Sequence, residues 1–395
     1  MKSVKESPRS KFLKRLLDRV WPGLIIPFLI YLVKWAIDNI TPPLRFHEII
    51  DALIIVVAEL SFLFLLIVDP SKGKINSSPR KRGRLFILLC CNMLLLRLSW
   101  VAIGPLISEF FTYTDIDKLV HGHHWIVYDP FRFDPNRLPN PEVDSMRKDL
   151  GCINDAGFDG IITLSSNGTL SEIPELAKER GQLVIMGIWD PRDKQEVAAG
   201  ISKKKFVDGY CIGHNGLGWR YEYGDLVEAI RYVRWQTDRP VSTTELFSWY
   251  LADDNLLIMG DWIFPDSHVD VRNDRGEFVA DGFRDAKTTV KWAISLASQK
   301  GRRGKPILLK MVCYPMNGIA NASREQQARF YKTILESRGD ALEGWPSGVS
   351  LAVGSTFDLP WKSIGAFYPW DPYTGLFEDT CTPRPAVKEI IRRMQ

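Results

Sequence analysis

Two hydrophobic patterns divide the chain near residue 110. The first part holds three long apolar runs, Val20–Ile37, Ile49–Val68 and Leu85–Ile107. A helix that crosses a bilayer needs about 20 mostly apolar residues, and each run is close to that length. A buried helix of a globular domain would alternate polar and apolar faces, and a cleavable leader would give one run followed by small residues. The pattern therefore predicts three transmembrane helices, at about 20–37, 49–68 and 85–107, in a membrane domain of residues 1–110.

From about residue 124 the runs become short and regularly spaced. Eight read as strands: Trp125–Asp129, Asp159–Ser165, Leu183–Asp190, Gly209–Asn215, Pro240–Glu245, Leu257–Phe264, Pro306–Met311 and Val349–Asp358. Near-continuous apolar strands suit a parallel sheet covered on both faces. Amphipathic helical patterns separate most of them, at Glu142–Ala156, Ser171–Arg180, Tyr223–Gln236, Asp285–Gln299 and Arg324–Arg338, with a last helix after Pro385. Eight such units in about 270 residues predict a (β/α)8 TIM barrel over residues 125–395, joined to the membrane domain by a linker at 111–124. A doubly wound open sheet is the rival, but no GxGxxG follows the first strand.

Charge orients this arrangement. Residues 1–104 carry 16 Lys/Arg against 7 Asp/Glu, and the remainder 35 against 40. The basic residues cluster before the first run (Lys2 to Arg19) and between the second and third (Lys72 to Arg84). Basic loops stay cytoplasmic, which predicts an inner-membrane protein with its N-terminus inside and its barrel periplasmic or extracellular. The acidic balance of the outer part gives nucleic acid no attraction. Glu59 and Arg97 fall at similar mid-membrane depth, where lone charges are costly. They are expected to pair with each other, or with another subunit. Cys90 and Cys91 read as packing residues, and the spacing of Cys152, Cys211, Cys313 and Cys381 defines no framework.

Chemistry in such barrels sits where the strands end. Here those ends supply Asp129, Trp189, Asp190, His214, Asn215, Glu245, Asp266, Met311, Tyr314, Asp358 and Trp361. Aromatic faces beside amides and carboxylates suit sugar rings, although Trp189 and Trp361 could equally plug the mouth. No metal is expected. The HGHH stretch (His121, His123, His124) reads as linker, and Asp266, His268 and Asp270 have only loop-like spacing. No cofactor motif is present. NGT at Asn167 and NAS at Asn321 match glycosylation sequons.

Several stretches, in order, resemble glycoside hydrolase family 17, the β-1,3-glucanase-type barrels, and their bacterial members most. YDPF (Tyr128–Phe131) resembles SYxPF, and DGIITLS resembles DGIRTYS. The stretch Ile173–Trp189 follows an ipeLAaehGlkVilGiW pattern, and PVSTTE resembles PVTTAE. KPILLKMVCYP (Lys305–Pro315) resembles KPVVIGETGWP. FDLPWK (Phe357–Lys362) resembles FDEPWK, and GLFE (Gly375–Glu378) resembles GLFD. The resemblance implies a retaining hydrolase with two glutamates, one in a GNE motif and one in ETGWP. In this chain those positions hold Asn215 and Met311, and a further family glutamate is replaced by Ser355. The Arg and Tyr of IRTYS become Ile162 and Leu164. An amide cannot serve as a tuned proton donor, and a thioether cannot form the glycosyl ester.

Two readings follow. In the first, the barrel is a pseudoenzyme, either a structural subunit of a membrane complex or a glycan-binding protein. Its binding residues would be Trp189, His214, Asn215, Glu245, Tyr314, Asp358 and Trp361. In the second it is an active β-glucan hydrolase or transglycosylase with relocated carboxylates, Glu245 foremost. The expected partners are the bilayer, other complex subunits and β-glucan or a related glycan.

Overall fold

The computed structural model describes residues 116–300, 305–337, 345–346, 348–363, 368–379 and 381–394. The three apolar runs and the Glu59–Arg97 pair lie outside the described residues. Among the described residues, no helix is long and apolar enough to cross a membrane.

Residues 116–120 are helical and lead into the first strand. The strands are β1 (Trp125–Tyr128), β2 (Gly160–Thr163), β3 (Leu183–Ile188), β4 (Gly209–Ile212), β5 (Val241–Thr243), β6 (Asp266–His268), β7 (Ile307–Cys313) and β8 (Val349–Val353). They form one parallel sheet in the order β5-β4-β3-β2-β1-β8-β7-β6. The sheet closes where the Asp266 N–H donates to the Glu245 carbonyl at 2.8 Å, with a parallel bridge from Leu246 to Asp266. This is a (β/α)8 barrel. Closure removes the exposed edges that an open sheet would present.

The helices of the outer layer are α1 (Val143–Asp155), α2 (Ile173–Lys178), α3 (Lys194–Ser202), α4 (Tyr223–Thr237), α5 (Phe247–Ala252), α6 (Asp254–Met259), α7 (Gly282–Lys300), α8 (Arg324–Glu336) and α9 (Pro385–Met394). Local chemistry sets several starts. Asp193 accepts from the N–H groups of Gln195 and Glu196 at the head of α3, and Ser323 accepts from Gln326 at the head of α8. Each cap satisfies donors that the helix itself leaves open. The strands are buried throughout β1, β2, β4, β7 and β8. At Gly160 an added Cβ would meet the Trp125 ring at 2.5 Å, so only glycine lets β2 pass that indole.

One element departs from the sequence expectation. The run Leu257–Phe264 was expected to be the sixth strand, but its first residues belong to α6. Asp253 caps α6 through the Asn255 N–H, and Leu256 and Leu257 are buried while Ile258 is exposed. A short apolar run fits a buried strand and a buried helix face equally well. The end of the run does join the wall, where Ile263 bridges Ile307 in parallel, and the sixth strand follows at Asp266–His268, which brings those two side chains into the barrel wall.

Cys152 in α1 and Cys381 just before α9 form a disulfide across 229 residues. Closing so long a loop stabilises a fold by about 5.5 kcal/mol in the chain-entropy picture. Cys211 and Cys313 are buried and free.

Candidate functional site

All strands point the same way, so their C-terminal ends gather at one mouth. Two strands meet it through unusual backbone. After β4, Asn215 has φ 48°, and in β7 Met311 has φ 58°. Left-handed backbone is costly for residues with a Cβ and is common at binding sites. In β7 the cause is a bulge: Leu309 pairs with Leu351 and Val312 with Val353, so Lys310 and Met311 together oppose one residue of β8. Such an insertion re-aims side chains. The Met311 thioether is buried against Gly354, where a Cβ would sit 2.9 Å from its sulfur. Asn215 donates from Nδ2 to Asp266 Oδ2 at 2.8 Å, while its Oδ1 is buried without a partner.

A chain of charged groups crosses the β4, β6 and β7 side. The Lys310 ammonium, buried, donates to His214 Nδ1 at 2.8 Å. His214 Nε2 lies 3.7 Å from Asp266 Oδ2. Asp266 Oδ1 accepts from His268 Nδ1 at 2.7 Å, and His268 Nε2 lies 3.4 Å from Asp371. Burial and then the Lys310 charge push the His214 imidazole well below its ordinary pKa, which keeps it neutral. Burial also opposes charge on His268, but Asp266 and Asp371 outweigh it and raise its pKa to about 10. Asp266 is buried, yet His268, His214 and Lys310 hold it well below the carboxylate range.

The β1 and β8 side extends this network. Burial opposes charge on Lys362, and Asp371 and Asp129 restore it. Burial raises the Asp129 carboxyl against the pull of Lys362 and Lys310, and its Oδ2 has no hydrogen-bond partner. Tyr368 stacks on the His268 ring at 6.3 Å, and Trp370 lies 6.0 Å from it. Lys310, Lys362 and His268 therefore stand against Asp129, Asp266 and Asp371 in one compact, paired set.

The β4–β5 rim is different. A cavity of about 290 Å³ is lined by Asn215, Leu217, Gly218, Trp219, Glu245, Leu246 and Trp249. Trp219 is 74% exposed and Trp249 39%. Glu245 is 1% exposed at the cavity floor. It accepts from the Tyr221 hydroxyl at 2.6 Å and the Leu217 N–H at 3.2 Å. Burial raises its carboxyl, and those two donors oppose the shift. Beside the cavity the Trp189 and His214 rings lie 4.6 Å apart, and the Arg220 guanidinium sits 4.5 Å over the Trp189 ring.

Of the residues singled out from the sequence, Trp189, His214, Asn215 and Glu245 come together here. Trp361 lies on the far rim against Phe133, its indole nitrogen buried without a partner. Tyr314 is turned away from the mouth. Its hydroxyl donates to Asp285 at 2.8 Å and its ring stacks on Phe330 at 4.5 Å, inside the helix layer. The bulge at Lys310–Met311 adds one residue and so shifts the inward–outward alternation beyond it. Asp358 accepts from Arg384 at 3.0 and 2.6 Å and from the Gly375 N–H, pinning a loop. Asp190 is held by Arg192. His121, His123 and His124 diverge to Ser350, Asp159 and the Gly157 carbonyl. Sequence reasoning missed Lys310, Lys362, Asp371, Arg220, Trp219 and Trp249. Lys310 had a signal, as the one charge within ILLKMVC; the others sit in loops whose partners are remote in sequence.

Fold and mouth define a (β/α)8 barrel with an aromatic-edged cavity where β4 and β5 end. No protein-family model and no curated protein matches the chain. Among solved structures, a β-glucuronidase from Ruminococcus gnavus in complex with C6-substituted uronic isofagomine superposes with a TM-score of 0.51 at 11% identity, over 70% of this chain and 50% of that one. The Faecalibacterium prausnitzii β-glucuronidase does so at 0.50 and 16% identity, over 69% and 48%. A GH5_18 protein from Streptomyces cattleya in complex with GlcNAc gives 0.45 at 14%, over 69% and 80%. The chain spans about half the length of the two glucuronidases. At these identities the likeness is one of fold.

Proposed function

We propose that this protein is a membrane-anchored, extracytoplasmic barrel of family-17 descent that binds glycan without cleaving it. The observation that carries the reading is the occupancy of the two family catalytic positions. Asn215 hydrogen-bonds Asp266, and Met311 is buried against Gly354. Neither can exchange a proton, and retaining hydrolysis requires a carboxyl at both. Four other carboxylates near the mouth are already engaged: Asp266 by His268, Asp190 by Arg192, Asp358 by Arg384 and Glu245 by Tyr221; Asp129 is buried, with Lys362 and Lys310 pulling on its charge. The rim cavity supplies what binding needs, two exposed indoles over a polar floor. The Cys152–Cys381 disulfide supports an oxidising compartment outside the cytoplasm.

The test uses purified full-length protein and linear β-1,3-glucan. Retention of the protein by the immobilised glucan, with no release of reducing ends, is the expected result. General acid–base help alone is worth roughly 10²- to 10⁴-fold, and its loss leaves hydrolysis undetectable. Turnover abolished by Glu245→Gln would transfer the protein to the enzyme reading with relocated carboxylates. A reporter active only outside the cytoplasm should work when fused after Gln395 and stay silent within the Lys72–Arg84 loop.

A second reading, a structural subunit of a membrane complex, draws on the proposed Glu59–Arg97 pair. Each single alanine change strands a charge, and the apolar double change should recover part of the loss.

A further inference from the structure

The strand-start end of the barrel, opposite the mouth, carries a surface that glycan binding does not use. Trp235 (62% exposed) and Tyr232 (47% exposed) stand on the last two turns of α4, their rings 6.4 Å apart. The short turn Lys204–Phe206 packs beside them. Lys204 Nζ donates to the Gln236 carbonyl at 2.8 Å, and the Lys205 ammonium lies 4.3 Å over the Phe206 ring. Arg231 and Arg239 flank the two aromatics along the chain. Two nearby acids are committed elsewhere, Asp208 to Lys178 and Asp261 to Arg234. Glu228 and Asp238 are the acids left on this stretch of α4, so the patch keeps an excess of positive charge.

Both elements lie at one end of the barrel because of where they sit in the chain. The Lys204–Phe206 turn precedes β4, and the end of α4 leads into β5. The described chain enters at the same end. His121 Nδ1 bonds Ser350 Oγ at the start of β8, and a Cβ at Gly209, the first residue of β4, would meet Leu119 at 3.2 Å. The 115 residues before Ile116, with their three apolar runs, are therefore joined to the barrel at the end that bears the patch.

We infer that this patch rests on the headgroups of an anionic lipid surface. Trp and Tyr favour the membrane–water interface, where the ring is half buried and its polar edge stays wet. Lys and Arg beside them meet lipid phosphates, and their long stems lie along apolar surface. A patch with exposed rings, surplus cations and a covalent tether at its own end fits that occupant. The inference rests on the membrane-anchor reading above.

The experiment uses the full chain in lipid nanodiscs, with phosphatidylcholine alone or mixed with phosphatidylglycerol. Tryptophan emission of the wild type and of Trp235→Phe is compared, so the difference reports Trp235. Bromine-labelled lipid should quench that difference signal in the anionic discs, and aqueous iodide should not. Each engaged Lys or Arg shifts the docked population about fivefold. Lys204→Gln/Lys205→Gln should therefore lower the docked-to-undocked ratio more than tenfold, as should high salt. A difference signal untouched by brominated lipid would overturn the inference; quenching by iodide would then mean that the patch meets water, and quenching by neither that a protein covers it. A chain that an alkaline carbonate wash strips from the discs would instead overturn the anchor reading itself.

Discussion

The two sides of the barrel mouth handle polarity in opposite ways. On the β6–β7–β8–β1 side, three cations and three carboxylates answer one another, with Lys310, Asp266 and Asp129 buried and His268, Asp371 and Lys362 half-buried. On the β4–β5 rim, Trp219 and Trp249 remain exposed around a cavity whose carboxylate, Glu245, already accepts two hydrogen bonds. A buried ionic set is rigid and expensive to break, while an aromatic rim loses little when a ring is trimmed. The difference teaches that one barrel mouth can hold a paired ionic side and an open aromatic edge next to each other.

The sharpest way to break this contrast is Asp266→Asn. It leaves His268 and Lys310 without their shared anion, and stranding a buried charge costs about 3–5 kcal/mol. The urea midpoint should fall accordingly at constant m-value; a change below about 1 kcal/mol would show that the network is not under tension. Glu245→Gln, on the rim, should cost only about 1 kcal/mol, because the amide oxygen still accepts from the Leu217 N–H while the amide NH2 can donate to the Tyr221 hydroxyl oxygen.

The pH dependence of stability sharpens the same point. His268 has a folded pKa of about 10, above the unfolded value of about 6.5. Its contribution is fully present below pH ~6.5 and is lost as pH rises toward 10. Asp266 is shifted down, so its contribution is present above the ordinary carboxylate range and is lost as pH falls. Wild-type stability should therefore decline between pH 7 and 10, and His268→Gln should flatten that limb. An unchanged alkaline slope in the variant would remove the imidazolium from the account. The smallest expected effect on stability is on the rim. Trp219→Ala and Trp249→Ala should stay within about 0.5 kcal/mol of wild type. Each should weaken glucan retention about three- to tenfold, the worth of one lost stacking face. Undiminished retention in the double variant would move the binding surface elsewhere.

Much of the barrel was legible in the chain. The runs Trp125–Asp129, Asp159–Ser165 and Leu183–Asp190 are buried on both faces, so each had to be apolar almost without interruption, and each falls where a strand is found. The stretch Leu257–Met259 misled, because three apolar residues carry no period long enough to separate helix from strand. Of the candidate site, His214, Asn215, Glu245 and Trp189 were legible because they directly follow strands. Lys362 and Asp371 were not, because they sit in the long segment after β8.

The sequence by itself determined that short apolar runs alternating with amphipathic stretches would build a (β/α)8 barrel, and that its strand ends would carry an amide at Asn215 and a thioether at Met311. Only the tertiary structure decided which charges meet. The bulge that turns Lys310 inward toward His214 arises from a register mismatch among β6, β7 and β8. The Cys152–Cys381 bond joins positions 229 residues apart, and the His268–Asp371 pair spans more than 100. Periodicity reports on a residue's neighbours within a few positions. Contacts across a closed barrel depend on strand stagger and loop path, which no local pattern encodes.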